Sequence, residues 1–260
     1  MLSDDQIKQF HEDGYLRGGQ VVSDEEVDVL RSEIIRVIAG CGGPGKQPVL
    51  LHNMGGAEAQ IWQIVNIWEV SEPFFALIHN PTIVQEMAQL TRAKSLRIWH
   101  DQIQYKPPAT GGVNMWHQDA PLWPILAPMT EVTAWVALDD VDVENGCMSM
   151  VPGSHTWGNH MDMLAQLESF AAMPQSFEGH PIEVRTCPVR KGEVHYHHAL
   201  TWHGSGSNKS GRPRRAIALH FMTDATRFVA SGEHVMKPFV HVPDGEVMSG
   251  EHFPLVYGPG

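Results

Sequence analysis

The sequence predicts a mainly β protein whose core sheets lie beside a helical cover, and three observations carry that expectation. Up to residue 94 the chain holds capped, amphipathic helical segments. From residue 95 the texture changes to short apolar runs rich in Val, Ile, Trp and Tyr, broken by Gly, Pro and Asn. With 42% hydrophobic and only 18% charged residues among 260, and no internal repeat, the chain can bury one large core, so a single domain is expected. Helices first and strands after is the order of a β core with its helices gathered on one side.

Each element follows from local chemistry. Ser3 with Gln6 is a capping pair ahead of Ile7 and Phe10, and Gly14 ends that short helix. Ser23 with Glu26 repeats the signal, and Val27, Leu30, Ile34 and Val37 then give a second helix one apolar face as far as Gly40. The stretch GCGGPGKQP, residues 40–48, lacks the GK[ST] ending of a phosphate loop and reads as a connection. Two further helices, Pro73 to His79 and Pro81 to Ala93, each open on a proline.

The strands expected are LRIWHDQIQY, EVTAWVALDD, CMSMVP, IEVRTCPV, GEVHYHHALTWH and RRAIALHFM. Asn145-Gly146 is a strong hairpin signal between two of them. The tail from Asp244, rich in Gly and Pro, reads as an irregular arm. The expected partition of the single 1–260 domain is therefore a mostly helical buttress over 1–94, a β core over 95–225 and a C-terminal arm over 226–260.

Thirty acidic against 18 basic residues give a formal charge of −12, which argues against a nucleic-acid partner. The start, MLSDDQIKQF, has neither the basic nor the apolar region of a signal peptide, and no apolar run is long enough to cross a bilayer, so no membrane partner is expected. Three widely spaced cysteines, Cys41, Cys147 and Cys187, form no disulfide framework, and a reducing cytoplasm is the default location. Sixteen histidines are about two to three times ordinary usage, which raises the expectation of a metal or acid–base site.

In WHQDAPLW, His117 and Asp119 stand two apart, and on a strand such residues share a face. Alone the pattern is weak. Downstream, however, TWHGSGSNKSGRPRRAIALHF places His203 at the end of one strand, a polar turn after it, and Arg214-Arg215 at the head of another. Two imidazoles and one carboxylate make the facial triad of a non-haem Fe(II) site, leaving positions free for a bidentate oxo acid and for O2. A buried guanidinium can hold the far carboxylate of that oxo acid in a forked pair of bonds.

On these residues the chain resembles the phytanoyl-CoA dioxygenase family of Fe(II)/2-oxoglutarate oxygenases, from about Asp4 to Met222. The motifs are YKPP, WHQD, the strand EVTAWVALDD, ENGC followed by MVPGSH, and HGSGSN with its later Arg. The resemblance implies a double-stranded β-helix, the jelly-roll, cupin-like form of sandwich, with N-terminal helices against its larger sheet. It makes His117, Asp119 and His203 the iron ligands, and Arg214, eleven residues beyond His203, the anchor of 2-oxoglutarate. Ser205 would hydrogen-bond the same carboxylate, Trp135 would contact the cosubstrate, and Gln102 and Gln104 would offer donors to it. The implied reaction is hydroxylation, or another oxidation at a C–H bond, of a small organic molecule. The oxo acid is decarboxylated to succinate and carbon dioxide. Asp119 stands where the related halogenases carry a small residue, which favours hydroxylation; desaturation or ring formation would use the same triad.

Plainer readings stand beside these. His195, His197 and His198 could compete as ligands, but such a run more often lines an interior. His155 reads as structural, and His100, Asp101 and His220 as packing residues or as supports behind the ligands. Trp116, Trp123 and Tyr196 are either pocket walls or ordinary core. Tyr105 and Lys106 end a strand, Lys106 having the reach to meet a substrate carboxylate. Asn114 serves either a ligand or a loop, and Arg215 is expected on the outer surface. Two rival functions remain open from the residues alone: a zinc hydrolase on the same ligands, and a cupin-like binder without turnover.

Overall fold

The computed structural model describes residues 1–53 and 61–259. Ser3 and Gln6 close a capping box at helix α1 (Asp4–Asp13), which Gly14 ends with a left-handed φ of 80°. Strand β1 (Tyr15–Gln20) follows, and a second box, Ser23 with Glu26, opens α2 (Asp24–Ala39). The paired strands β2 (Leu50–Asn53) and β3 (Trp62–Val65) precede α3 (Glu72–Ile78) and α4 (Pro81–Thr91), each with a proline in its first turn. Next come β4 (Leu96–Lys106), β5 (Asn114–His117), β6 (Leu126–Ala127), β7 (Val132–Ala137) and β8 (Met148–Met150). The short α5 (Met161–Leu164) leads to β9 (Ser176–Phe177) and β10 (His180–Pro181), which pair together. Strands β11 (Arg185–Cys187), β12 (Glu193–His198), β13 (His203–Ser205) and β14 (Arg214–Thr223) complete the core, before β15 (Arg227–Phe228) and β16 (Leu255–Tyr257).

The larger sheet has the order β1-β12-β7-β14-β4-β3-β2, with β16 added on β4; the smaller is β11-β8-β13-β5. Both are antiparallel, and they face each other as a jelly roll. Strand β7 shows how the layers divide. Val132, Ala134 and Val136 point to the helices, where they join Leu30 and Ile34 of α2, Phe74 of α3 and Met87 of α4 in the main apolar core. The alternate residues Trp135 and Ala137 point the other way and pack with Met148, Met150 and Cys187 of the smaller sheet. All six residues of β7 are buried, which is why the segment reads as a nearly continuous apolar run.

Three features depart from expectation. Residues 1–94 contribute β1, β2 and β3 to the larger sheet as well as the helices, and the tail supplies β16. Short edge strands carry too few alternating residues to stand out in sequence. Asn145-Gly146 does not close a hairpin, because β7 and β8 belong to different sheets. Instead Asn145 braces a crossover, its Oδ1 accepting from the Asp142 N–H at 2.8 Å and its Nδ2 donating to the Asp140 carbonyl at 2.7 Å. Gly146 has φ 86°, and a Cβ there would lie 2.5 Å from the Gly206 carbonyl oxygen, so two loops meet closely at a position suited to glycine.

Candidate metal centre

The first ligand pair is assembled by sheet register. His117 at the end of β5 lies directly opposite His203 on β13, and the two rings approach to 4.1 Å between centroids. Here the structure corrects two expectations. His203 begins β13 and does not end the preceding strand, and Asp119 is not on a strand at all. β5 stops at His117, and Asp119 has helical angles, φ −72° and ψ −51°, at the head of a single 3₁₀ turn, Ala120–Leu122. That turn is tied down by the Ala120 N–H donating to the Ala199 carbonyl at 3.0 Å. Between the two candidate ligands, Gln118 points elsewhere. Its amide donates to the Gly158 and Leu200 carbonyls at 2.8 and 2.7 Å, and its oxygen accepts from the His160 N–H at 2.7 Å.

Asp119 Oδ1 lies 3.6 Å from His117 Nε2 and 3.5 Å from His203 Nε2. One donor atom from each of the three residues can be chosen so that all lie within 4.8 Å of one another, close enough to share a cation. Each imidazole is also set in the right tautomer. His117 Nδ1 faces the Met115 carbonyl at 2.7 Å and His203 Nδ1 the Thr201 carbonyl at 2.9 Å. A carbonyl only accepts, so both protons sit on Nδ1 and both Nε2 lone pairs are left for a metal.

The other carboxylate oxygen is occupied by protein. Asp119 Oδ2 accepts from His197 Nε2 at 3.2 Å and from Thr133 Oγ1 at 3.3 Å, and Thr133 also meets His220 Nδ1 at 2.8 Å. Burial alone would raise the Asp119 carboxyl, but the imidazoles of His203, His117 and His197 packed against it outweigh burial and hold it well below the usual carboxylate range. Burial drives His197 and His220 down to about 4, so both are neutral supports at ordinary pH.

Beyond the triad, Gln104, Asn114, Trp135, Met148, Ser205, Ala218 and His220 line a narrow cleft. Arg214 is not itself among the lining residues but lies behind two of them, Ser205 and Trp135; it is fully buried, with Nε and Nη2 donating to the Gly146 carbonyl at 3.2 and 3.1 Å and Nη2 to Ser205 Oγ at 3.0 Å. Its guanidinium carbon sits 5.4 Å from the centroid of the Trp135 ring, and its Nη1 has no hydrogen-bond partner. Burial pulls Arg214 down only to about 10, so it stays a cation. A buried guanidinium with an orphaned nitrogen fits an anionic ligand end, and two imidazoles with a carboxylate fit ferrous iron.

The structure thus brings together His117, Asp119, His203, Ser205, Trp135, Gln104 and Arg214. Gln102 is not among the cleft-lining residues. Arg215 takes the opposite face as alternation requires, yet it is not simply exposed. Its Nε and Nη2 grip Asp139 at 2.9 and 2.8 Å, and Asp139 also receives Arg31 of α2 at 2.6 Å, mooring that helix to the sheet. Of the competing histidines, His197 turns to Asp119, while His195 stacks on Tyr15 at 5.6 Å. Tyr196 is core, its hydroxyl donating to Glu86 of α4 at 2.7 Å. The support given by Thr133 was not read from sequence; its position two residues before Trp135 on a strand is the signal that could have found it.

A model of the phytanoyl-CoA dioxygenase (PhyH) family matches residues 10–216 of the chain. The peroxisomal phytanoyl-CoA dioxygenase of Rattus norvegicus is 24% identical over 270 residues, covering 94% of this chain and 76% of the rat protein. The ectoine dioxygenase of Bordetella parapertussis is 25% identical over 234 residues, covering 84% and 74%. Among solved structures, the non-haem α-ketoglutarate-dependent carbocyclase SnoK from nogalamycin biosynthesis is 28% identical with a TM-score of 0.78, covering 98% of this chain and 96% of its own. The epimerase SnoN, 24% identical with a TM-score of 0.80 and 97% coverage of both chains, shares the fold.

Proposed function

The chain belongs to the phytanoyl-CoA dioxygenase family, and on that premise we propose that His117, Asp119 and His203 hold its iron and that Arg214 anchors its cosubstrate. The protein is a non-haem Fe(II)/2-oxoglutarate-dependent dioxygenase that oxidises a C–H bond of a small organic molecule. The observation that carries the residue assignment is convergence: two Nε2 atoms and Asp119 Oδ1 gather at 3.5–3.6 Å, while a buried guanidinium with a free Nη1 lies behind Ser205 and Trp135 of the same cleft.

Bound iron supplies the activation of dioxygen that couples decarboxylation of 2-oxoglutarate, to succinate and carbon dioxide, with oxidation of the substrate. The chain's own residues do the arranging. Arg214 and Ser205 receive the distal carboxylate of the oxo acid, whose burial would otherwise be costly. Trp135 and Gln104 wall the cleft beside it, the indole N–H facing Gln104 Oε1 at 3.5 Å. His197 and Thr133 hold Asp119 Oδ2, so that Oδ1 stays turned to the two imidazoles. Trp135 and His203 are buried while the His117 side chain is 22% exposed, so the site is shielded on one side and reaches solvent at His117.

Hydroxylation is the outcome we assign, since Asp119 retains the carboxylate. SnoK and SnoN, named a carbocyclase and an epimerase, mark two other outcomes; ring closure is an oxidation whereas epimerisation leaves the oxidation state of the substrate unchanged, and product analysis distinguishes all three. Three free thiols, Cys41, Cys147 and Cys187, accord with a reducing compartment such as the cytoplasm. Arg214 weighs against a zinc hydrolase, which has no evident use for it.

The test is an anaerobic titration. Ferrous iron with 2-oxoglutarate should give a visible charge-transfer band, and oxygen with a suitable substrate should release succinate. Hydrolysis supported by zinc, with no band and no succinate, would overturn the reading.

A further inference from the structure

The inner face of the larger sheet carries a histidine pair at the end away from Arg214. Strands β4 and β14 set Arg214 opposite Lys106 at one end and His220 opposite His100 at the other, and β7 places Thr133 beside His220. The His100 and His220 rings meet edge to face at 4.6 Å between centroids, and both residues are buried. Trp123 closes on them at 5.6 and 4.8 Å, and His234, from the segment after β15, lies over His100 at 5.8 Å. Of this group only His220 lines the cleft, so the group meets the candidate metal centre through it.

Hydrogen bonds settle which nitrogen of each ring carries the proton. Thr133 Oγ1 spends its own proton on Asp119 Oδ2 at 3.3 Å, so at 2.8 Å it accepts from His220, whose proton is on Nδ1. His100 Nδ1 faces the Asp101 carbonyl at 3.3 Å, and a carbonyl only accepts, so its proton is on Nδ1 too. Burial lowers His220 to about 4 and His100 well below its ordinary value, so neither ring takes a second proton at ordinary pH. Each Nε2 is then a lone pair, and neither has a hydrogen-bond partner among the described residues. Burying an acceptor without a donor is costly, and a sheet interior that needed only packing would be served by apolar rings. Two such acceptors at the end of a ligand cleft call for a donor that the ligand brings.

We infer that His100 and His220 form an acceptor subsite for the substrate, two imidazole lone pairs that take a hydroxyl or amino hydrogen of the molecule being oxidised, with Trp123 as its wall. This rests on the oxygenase reading above and adds a substrate class to it. The two ends of the inner face then select by opposite chemistry. Arg214 favours a carboxylate, whereas lone pairs repel an anion and bind a donor. The favoured substrate is an alcohol or an amine; a molecule that brings only carboxylate, ester or ether oxygens to this end is disfavoured.

The experiment is nitrogen NMR of the full chain, isotopically labelled in its histidine rings and loaded with 2-oxoglutarate and Zn(II), a diamagnetic substitute for iron. Lone-pair and N–H nitrogens of imidazole resonate far apart, and the signals lost in His100→Phe and His220→Phe assign the two residues. Gln variants serve where a Phe variant does not fold, and nitrogen–proton correlations within each ring give the tautomers in the wild type. Both Nε2 signals should be of the lone-pair kind. Methanol or methylammonium should shift them saturably toward the N–H position, methanol alone marking a hydroxyl site and methylammonium alone an amino site. Tetramethylammonium, which has the charge but no N–H, should leave them in place. An N–H pattern at either Nε2, lone pairs that neither donor moves, or an equal response to tetramethylammonium would each overturn the subsite. Absence of the charge-transfer band with Fe(II) and 2-oxoglutarate would instead overturn the oxygenase reading, whatever the histidine signals show.

Discussion

The two faces of the larger sheet are built from the same strands yet differ in kind. On the outer face, Val132, Val136, Ile217, Leu219 and Phe221 meet the helices as an apolar layer. On the inner face, the alternate residues of those strands and their neighbours include Thr133, Lys106, Arg214, His197 and His220, all buried and polar, beside Trp135 and the small Ala137, Ala216 and Ala218. The outer layer removes apolar area from water, which favours folding. The inner layer buries groups that cost free energy unless bonded. The comparison teaches that this fold is stabilised on one side of a sheet so that the other side can hold a buried guanidinium and a candidate ligand set.

The widest separation of the two faces comes from Asp119→Ala, which should lower iron affinity by more than roughly 100-fold and abolish succinate release, with the fold intact by circular dichroism. Arg214→Ala should weaken 2-oxoglutarate by roughly 30-fold to 1,000-fold while iron affinity stays near wild type; unchanged cosubstrate affinity would remove the anchor from the assignment. On the outer face, Leu219→Ala should cost about 2–5 kcal/mol in denaturant unfolding yet leave the iron affinity of the folded protein unaltered. If iron binding fell with it, the faces would not be separable. His197→Phe, one contact removed from the iron, should reduce iron affinity by about 10- to 100-fold, less than loss of Asp119 itself.

The smallest effect expected is a matter of pH. Burial raises Glu131, one residue ahead of β7, from 4.5 to about 7. A carboxyl whose folded value lies above its unfolded one holds its proton better when folded, so this contribution favours folding below about pH 4.5 and is lost as pH rises through about 7. Glu131→Gln should therefore gain on the wild type between pH 5 and pH 8, on the order of 2 kcal/mol by unfolding midpoints. A constant difference at both pH values would contradict the assignment.

Much of this was legible from residues alone. Both capping boxes, the apolar face of α2 and the long strands β4 and β14 announce themselves by local chemistry, and WHQD with the HGSGSN segment and its later Arg points to the candidate triad and its proposed anchor. What was not legible depends on pairing between distant strands. Asn145-Gly146 has the composition of a hairpin, and only the sheet assignment of β7 and β8 reveals a crossover whose glycine carbonyl brackets Arg214. Asp119 looked like a strand neighbour of His117 because spacing cannot report the turn that begins after it. Arg215 looked like surface because its partner, Asp139, lies 76 residues away in the chain. Lys106 read as the end of a strand because the serine and glycine it holds are 99 and 100 positions downstream.

Gln118 sits between the two candidate ligands of its motif and fastens them to the loop around Gly158 and His160. That loop belongs to the segment that roofs the smaller sheet, where Trp157, Met161 and Phe170 pack against Trp116 and Trp202. A nick or insertion there, far from the chemistry in sequence, would slacken the hinge on which His117 and Asp119 are mounted. The roof is in that sense a tensioner, and grafting a different one onto this scaffold must preserve the two backbone groups that Gln118 clasps on it.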